Sequence, residues 1–86
     1  MNLSSTSLPS TDYKALRRTL ADNVHRFRRQ RRITLLELSE KTGLSVHRLD
    51  RFELGYGELS IFCLHHVAKA LNIDLAYLFD RAGGTG

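Results

Sequence analysis

The sequence predicts an all-α protein, a compact bundle of five helices, and three observations predict it. Apolar side chains recur every three to four positions through five successive segments. Short turn signals separate those segments, with Ser, Thr or Asp ahead of a helix and Gly or Asn behind several of them. No stretch alternates with period two over a useful length, so nothing reads as a strand. At 86 residues the chain is one domain at most, with a core just large enough to fold alone.

Residues 1–11 are Ser/Thr-rich around Pro9 and bury too little to order themselves, which predicts a flexible N-terminal arm. The folded domain is expected over 12–82. Leu16, Leu20, Val24 and Phe27 line one face of a first helix of about 12–31, with Ser10 or Thr11 as its cap. Thr34-Leu35-Leu36-Glu37 fits a capping box, in which the Thr hydroxyl takes one orphan N–H while Glu37 reaches back. It opens a second helix ending at Lys41 or Thr42, and Gly43 follows, where a left-handed conformation costs glycine nothing. Ser45 caps a third helix through about Leu54, with Leu49 and Phe52 facing in; Gly55 closes it and Tyr56-Gly57-Glu58 form a loop. Ser60 caps a fourth helix carrying Leu64, Val67, Ala68 and Leu71 on one face. Asn72 ends it, and Asp74 caps a short fifth helix through about Arg81 with Leu75, Leu78 and Phe79 inward. Gly83 stops that helix and residues 83–86 form a flexible tail.

Composition removes several function classes. No apolar run approaches the roughly 20 residues of a membrane span. Met1 to Ser10 carry neither a basic n-region nor an apolar h-region, so no secretory signal is expected. The single Cys63 forms no internal disulfide and suits a reducing cytoplasm, the expected location. A Gly-rich phosphate loop, a carboxylate pair and a Ser/His/Asp arrangement are all missing from the sequence, so no enzyme and no cofactor is expected. His65 and His66, near Cys63, point roughly 100° apart on a helix and chelate one ion poorly, so no metal site is expected. The net charge is +4 and favours an anionic partner. Arg26, Arg28, Arg29, Arg31 and Arg32 crowd one stretch, with Lys14, Arg17 and Arg18 upstream; taken alone, such a cluster is as readily a solvated helix face.

The sharpest local feature runs from Leu38-Ser39 through Gly43 to Leu49 and Phe52. Two helices crossing steeply over a short turn need a small residue where they touch, a residue tolerant of positive φ in the turn, and an apolar side chain buried back against the first helix. Ser39, Gly43 and Leu49 meet those needs in order.

Further segments extend the pattern: Ile33-Thr34, Glu37-Leu38-Ser39, Thr42-Gly43-Leu44-Ser45, Glu53-x-Gly55, and Ala68-Lys69-Ala70-Leu71-Asn72-Ile73 leading to Leu78-Phe79. With them the chain, from about Val24 to Phe79, resembles the lambda-repressor-like (XRE, Cro/cI-type) helix-turn-helix transcriptional regulators. The resemblance implies sequence-specific binding of double-stranded DNA as a homodimer, in a repressor role, with the third helix in the major groove. Carried over by position, the base-facing residues are Val46, His47, Asp50 and Arg51. Arg51 suits a bidentate contact to guanine, Val46 a thymine methyl, and Asp50 either accepts from cytosine or, the favoured reading, orients Arg51 or Arg48. The implied phosphate contacts are Arg28, Arg29, Arg32, Thr34, Arg48 and Tyr56. Arg28 and Glu53 are implied as an inward-facing ion pair, structural first. Leu59, Phe62, Ala76, Tyr77 and Asp80 are the implied candidates near the two-fold axis, and His65 is implied to face the core with His66 outward.

The chain departs from the family at Leu35, where members place a phosphate-holding glutamine, and at Leu54 and Glu58, where polar and basic residues are usual. Arg29, Arg31 and Arg32 are expected to compensate, Arg32 foremost because it stands just ahead of helix 2. An alternative reading treats exposed Leu35, Leu36, Leu54 and Leu59 as an apolar surface for a protein partner, as in an antitoxin, with weak or no DNA binding. No ligand-sensing or peptidase segment follows the helices, so a stand-alone regulator is expected: a phage repressor, a restriction-modification controller or an antitoxin.

Overall fold

One six-residue pattern, written three times, builds the middle of the molecule. Ile33-Thr34 leads to Leu38, Leu44-Ser45 to Leu49, and Leu59-Ser60 to Leu64. In the computed structural model, which describes residues 10–81, each repeat starts a helix: α2 is Leu35–Thr42, α3 is Val46–Glu53 and α4 is Ile61–Ala70. The hydroxyls of Thr34, Ser45 and Ser60 accept the N–H of Glu37, Arg48 and Cys63, each at 3.0 Å. The apolar residue ahead of each cap joins the same core as the leucine one turn inside, a hydrophobic staple that sets the angle of entry. At Thr34 the box is complete, since its N–H donates to the Glu37 carboxylate at 2.8 Å. The long helix α1, Ser10–Gln30, precedes these, and a 3-10 turn, Leu75–Phe79, follows them.

Three helices also end alike. Ile33, Tyr56 and Ile73 donate their N–H groups back to the carbonyls of Arg28, Arg51 and Ala68, at 3.0, 2.8 and 3.0 Å. The residue before each donor is left-handed: Arg32 at φ 57°, Gly55 at 101° and Asn72 at 60°. This is the Schellman closure, which satisfies carbonyls that the helix end would otherwise orphan. Helix α2 ends more simply, with the Gly43 N–H on the Ser39 carbonyl at 2.8 Å and φ at 81°.

Leu20, Val24 and Phe27 of α1 pack with Leu38, Leu49, Phe52, Leu64, Val67, Leu71 and Leu78 in one core. Truncating a fully buried member such as Leu49 to Ala costs about 2–5 kcal/mol. Among the described residues there is no strand, and no helix is long and apolar enough to cross a membrane. The arm expected before α1 lies, but for Ser10 and Thr11, outside the described residues, as does the tail at 83–86; the caps expected at Ser10 or Thr11 and at Gly83 lie outside the described side chains.

Several expectations change. Among the described residues four α-helices form, not five: the last element is a 3-10 turn that stops at Phe79, and Asp74 makes no side-chain cap bond. Leu16 does not share the buried face, because the side chains from Asp12 to Leu16 are all exposed. Leu59 is core rather than surface, as its staple position requires, and Leu35 packs partly against the core. His65 is exposed along with His66. The core stripe of α4 is centred on Leu64, Val67, Ala68 and Leu71, and His65 falls about 100° round the helix from Leu64.

Two polar residues of α1 hold the rest in place. Asn23 is buried, and its amide donates to the carbonyls of Tyr77, Leu78 and Asp80 at 3.3, 2.9 and 3.0 Å. Arg17 donates to the carbonyls of Gly57 and Tyr56, both at 2.7 Å, and its guanidinium lies 4.0 Å from the centroid of the Phe52 ring.

Candidate nucleic-acid interface

Helix α3 is short, and its two sides differ sharply. Leu49 and Phe52 are buried, while Val46, His47, Arg48 and Arg51 are exposed. His47 and Arg51 stand one turn apart on the face opposite Leu49 and Phe52, with Arg48 on one flank and Val46 on the other. Asp50 is half-buried on the flank nearer α1, where its charge acts on Arg28. It forms no ion pair with Arg48 or Arg51 among the described residues, so the expected orienting pair is not made.

The approach to α2 supplies a second polar edge. Thr34 is exposed; its oxygen is occupied by the Glu37 N–H, which leaves its hydroxyl proton to donate outward. The Thr34 N–H holds the Glu37 carboxyl below its ordinary pKa. Arg32 and Arg29 are exposed just before this helix, and Arg32 occupies the left-handed position that turns the chain.

Arg28 points inward. Its Nε and Nη2 donate to the two carboxylate oxygens of Glu53 at 2.7 and 2.9 Å, and Nη1 donates to the Ile33 carbonyl at 2.9 Å. The side chains of Arg28 and Glu53 are 11% and 4% exposed, so the pair is withdrawn from water. The hydrogen bonds to Glu53 raise the Arg28 pKa against the opposing effect of burial. His25 Nδ1 meets the same carboxylate at 2.7 Å. One guanidinium thus fastens the end of α3 to the turn that delivers Thr34.

The other basic residues disperse. Arg26 and Arg31 flank the Phe27 ring, at 4.3 and 5.6 Å from its centroid, and Arg31 lines a groove with Lys69, Asn72 and Tyr77 rather than lying against α2. Arg17 is taken up by the loop after α3, where burial lowers its pKa. Glu58 accepts a hydrogen bond from the Tyr13 hydroxyl, which raises the Tyr13 pKa. Tyr56 is exposed, with the Arg51 guanidinium 5.2 Å from its ring centroid.

Sequence reasoning missed Asn23, Arg17, His25 and the Tyr56–Arg51 stack, all of which act across long chain separations or a turn. Leu59 was within reach, because it repeats the pattern of Ile33 and Leu44. A helix-turn-helix family model matches residues 24–78, more than half of the chain. No curated protein and no solved structure matches.

Proposed function

The chain belongs to the XRE, or lambda-repressor-like, helix-turn-helix family, a DNA-binding family, and from that premise we propose that it is a sequence-specific transcriptional regulator, a repressor, reading double-stranded DNA as a homodimer. One observation carries the reading: α3 buries Leu49 and Phe52 and turns His47 and Arg51 outward, with Arg48 and Val46 beside them. In the major groove Arg51 takes guanine O6 and N7, a contact that supplies about 1–3 kcal/mol of discrimination. His47 meets a base edge, Val46 a thymine methyl, and Asp50 a cytosine N4.

Backbone contacts come from the Thr34 hydroxyl, the N-terminus of α2, Arg29, Arg32, Arg48 and the Tyr56 hydroxyl. Arg28 serves this clamp from behind, because its bonds to Glu53 and Ile33 set the height of Thr34 against α3. Phe62, Ala76 and Tyr77, which are exposed, and half-buried Asp80 remain as the contacts between two copies; Leu59, being core, does not. The site of action is the cytoplasm, where the DNA is.

The test is selection of bound fragments from a genomic DNA library at two salt concentrations. A palindromic motif with half-sites about one helical turn apart is expected, lost in Arg51→Ala while residual binding persists. Exposed Leu36 and Leu54 favour the second reading, a protein-interaction module. No enrichment at either salt, together with co-purification of a partner lost in a Leu36→Ser/Leu54→Ser variant, is the result that reading expects.

A further inference from the structure

Arg51 and Tyr56 are the two ends of one closure. The Tyr56 N–H donates to the carbonyl of Arg51 itself at 2.8 Å, and the left-handed Gly55 between them turns the chain back. The same bond therefore sets the backbone of both residues, and the ring comes to lie under the guanidinium, 5.2 Å from its carbon to the ring centroid. That is within the roughly 6 Å over which an aromatic face attracts a cation.

The backbone that carries the ring is fixed. Its residue's carbonyl accepts from Arg17 Nη2 at 2.7 Å, and the carbonyl of Gly57 accepts from Arg17 Nε at 2.7 Å. Arg17 is in turn stacked on Phe52, a core residue. The loop that carries Tyr56 is thus bolted to α1 and to the core. The Tyr56 hydroxyl has no hydrogen-bond partner among the described residues, so ring and hydroxyl are free to do separate work.

We infer that Tyr56 is a positioning residue for Arg51, its ring acting as a platform that holds the guanidinium plane ready for a guanine edge. The inference rests on the reading of α3 as the base reader. An arginine that docks with both donors on a base gives up much rotamer freedom. A guanidinium already lying on a ring gives up less, and the saving appears as affinity for the guanine-containing site alone. The phosphate contact of the hydroxyl, by contrast, raises affinity for every sequence equally.

The experiment measures, for the full chain and for Tyr56→Phe, Tyr56→Ala and Arg51→Ala, the affinity ratio between the selected operator and the same operator with its guanine replaced. Tyr56 is exposed, so its variants are expected to keep the melting temperature of the parent. Tyr56→Ala lowers the ratio roughly threefold, as the loss of one exposed cation–π contact requires, and Tyr56→Phe keeps it. In the free protein the Arg51 Nε proton is shifted upfield by the ring in the parent and in Tyr56→Phe, and the shift is lost in Tyr56→Ala; a purely structural role does not produce this. Equal ratios in Tyr56→Ala and the parent overturn the inference, as does a Tyr56→Phe ratio that falls as far as that of Tyr56→Ala. A parent that selects no operator at all overturns the base reading itself, which the unchanged-ratio result leaves standing.

Discussion

Arg32 bears two loads. It takes φ 57° in the closure of α1, where an L side chain is strained, and it stands exposed ahead of α2, where a cation can meet a phosphate. Glycine at this position relieves the strain and loses the charge. Arg32→Gly is therefore expected to gain about 1 kcal/mol in urea unfolding and to lose DNA affinity uniformly across sequences. The log–log salt slope of binding should shallow by about one unit, and an unchanged slope would remove Arg32 from the phosphate contacts. Glu53 carries the opposite expectation. Glu53→Ala leaves the Arg28 guanidinium buried without its carboxylate, which costs about 3–5 kcal/mol. A loss below about 1 kcal/mol in the same unfolding experiment would mean that water reaches Arg28 readily.

At the scale of the element, stability is set at helix ends. The Glu37 carboxylate accepts the Thr34 N–H, which holds its folded pKa below the unfolded value. A depressed carboxyl pKa contributes stability that is complete above the unfolded pKa and is lost as pH falls through the folded pKa. Unfolding followed across the acid range should show that loss in the parent, with a smaller slope in Glu37→Gln, whose amide still reaches the cap without titrating. A parallel slope in both would place the acid sensitivity elsewhere. Asn23 is the tie between α1 and the terminal turn; Asn23→Ala strands buried carbonyls and is expected to cost about 1–3 kcal/mol. Hydrogen exchange of the Leu75–Phe79 amides should accelerate ahead of those in α3.

What could be read in advance divides along the same line. Thr34, Glu37, Ser45, Ser60 and Gly43 act within one turn of their own position, so their spacing is their function and the sequence displays it. In the terminal turn Asp74 looks like a cap in the sequence but makes no cap bond; Asn23, distant in sequence, holds that turn instead. The inward His65 that the resemblance implies does not form, because the core stripe of α4 passes through Leu64, Val67, Ala68 and Leu71; Leu59 looks exposed as a loop leucine, yet its staple position takes it into the core.

Over the whole molecule, the charge of +4 is not delivered as one patch. The arginines crowded late in α1 divide among a buried pair, the flanks of Phe27 and the exposed edge before α2. Composition shows the sum of these and conceals the division, since helical phase and the partners met across the fold decide it. Phe62 and Tyr77, 68% and 50% exposed, are large apolar side chains left uncovered by the monomer. A Phe62→Glu/Tyr77→Glu variant is expected to sediment as a monomer and to lose operator binding while keeping its melting transition; a parent that is itself monomeric on operator DNA would exclude the two-fold arrangement.

On operator DNA, α3 is expected to lie in the major groove with Arg51 on a guanine. Methylation interference at guanine N7 on the selected operator tests it most directly, because N7 is the atom that bidentate arginine must reach. One symmetry-related guanine in each half-site should block the parent protein when methylated, and the block should vanish in Arg51→Ala at the concentrations where that variant still binds. Interference that is the same in both proteins, or confined to minor-groove adenine N3, would exclude Arg51 as the guanine reader and α3 from the major groove.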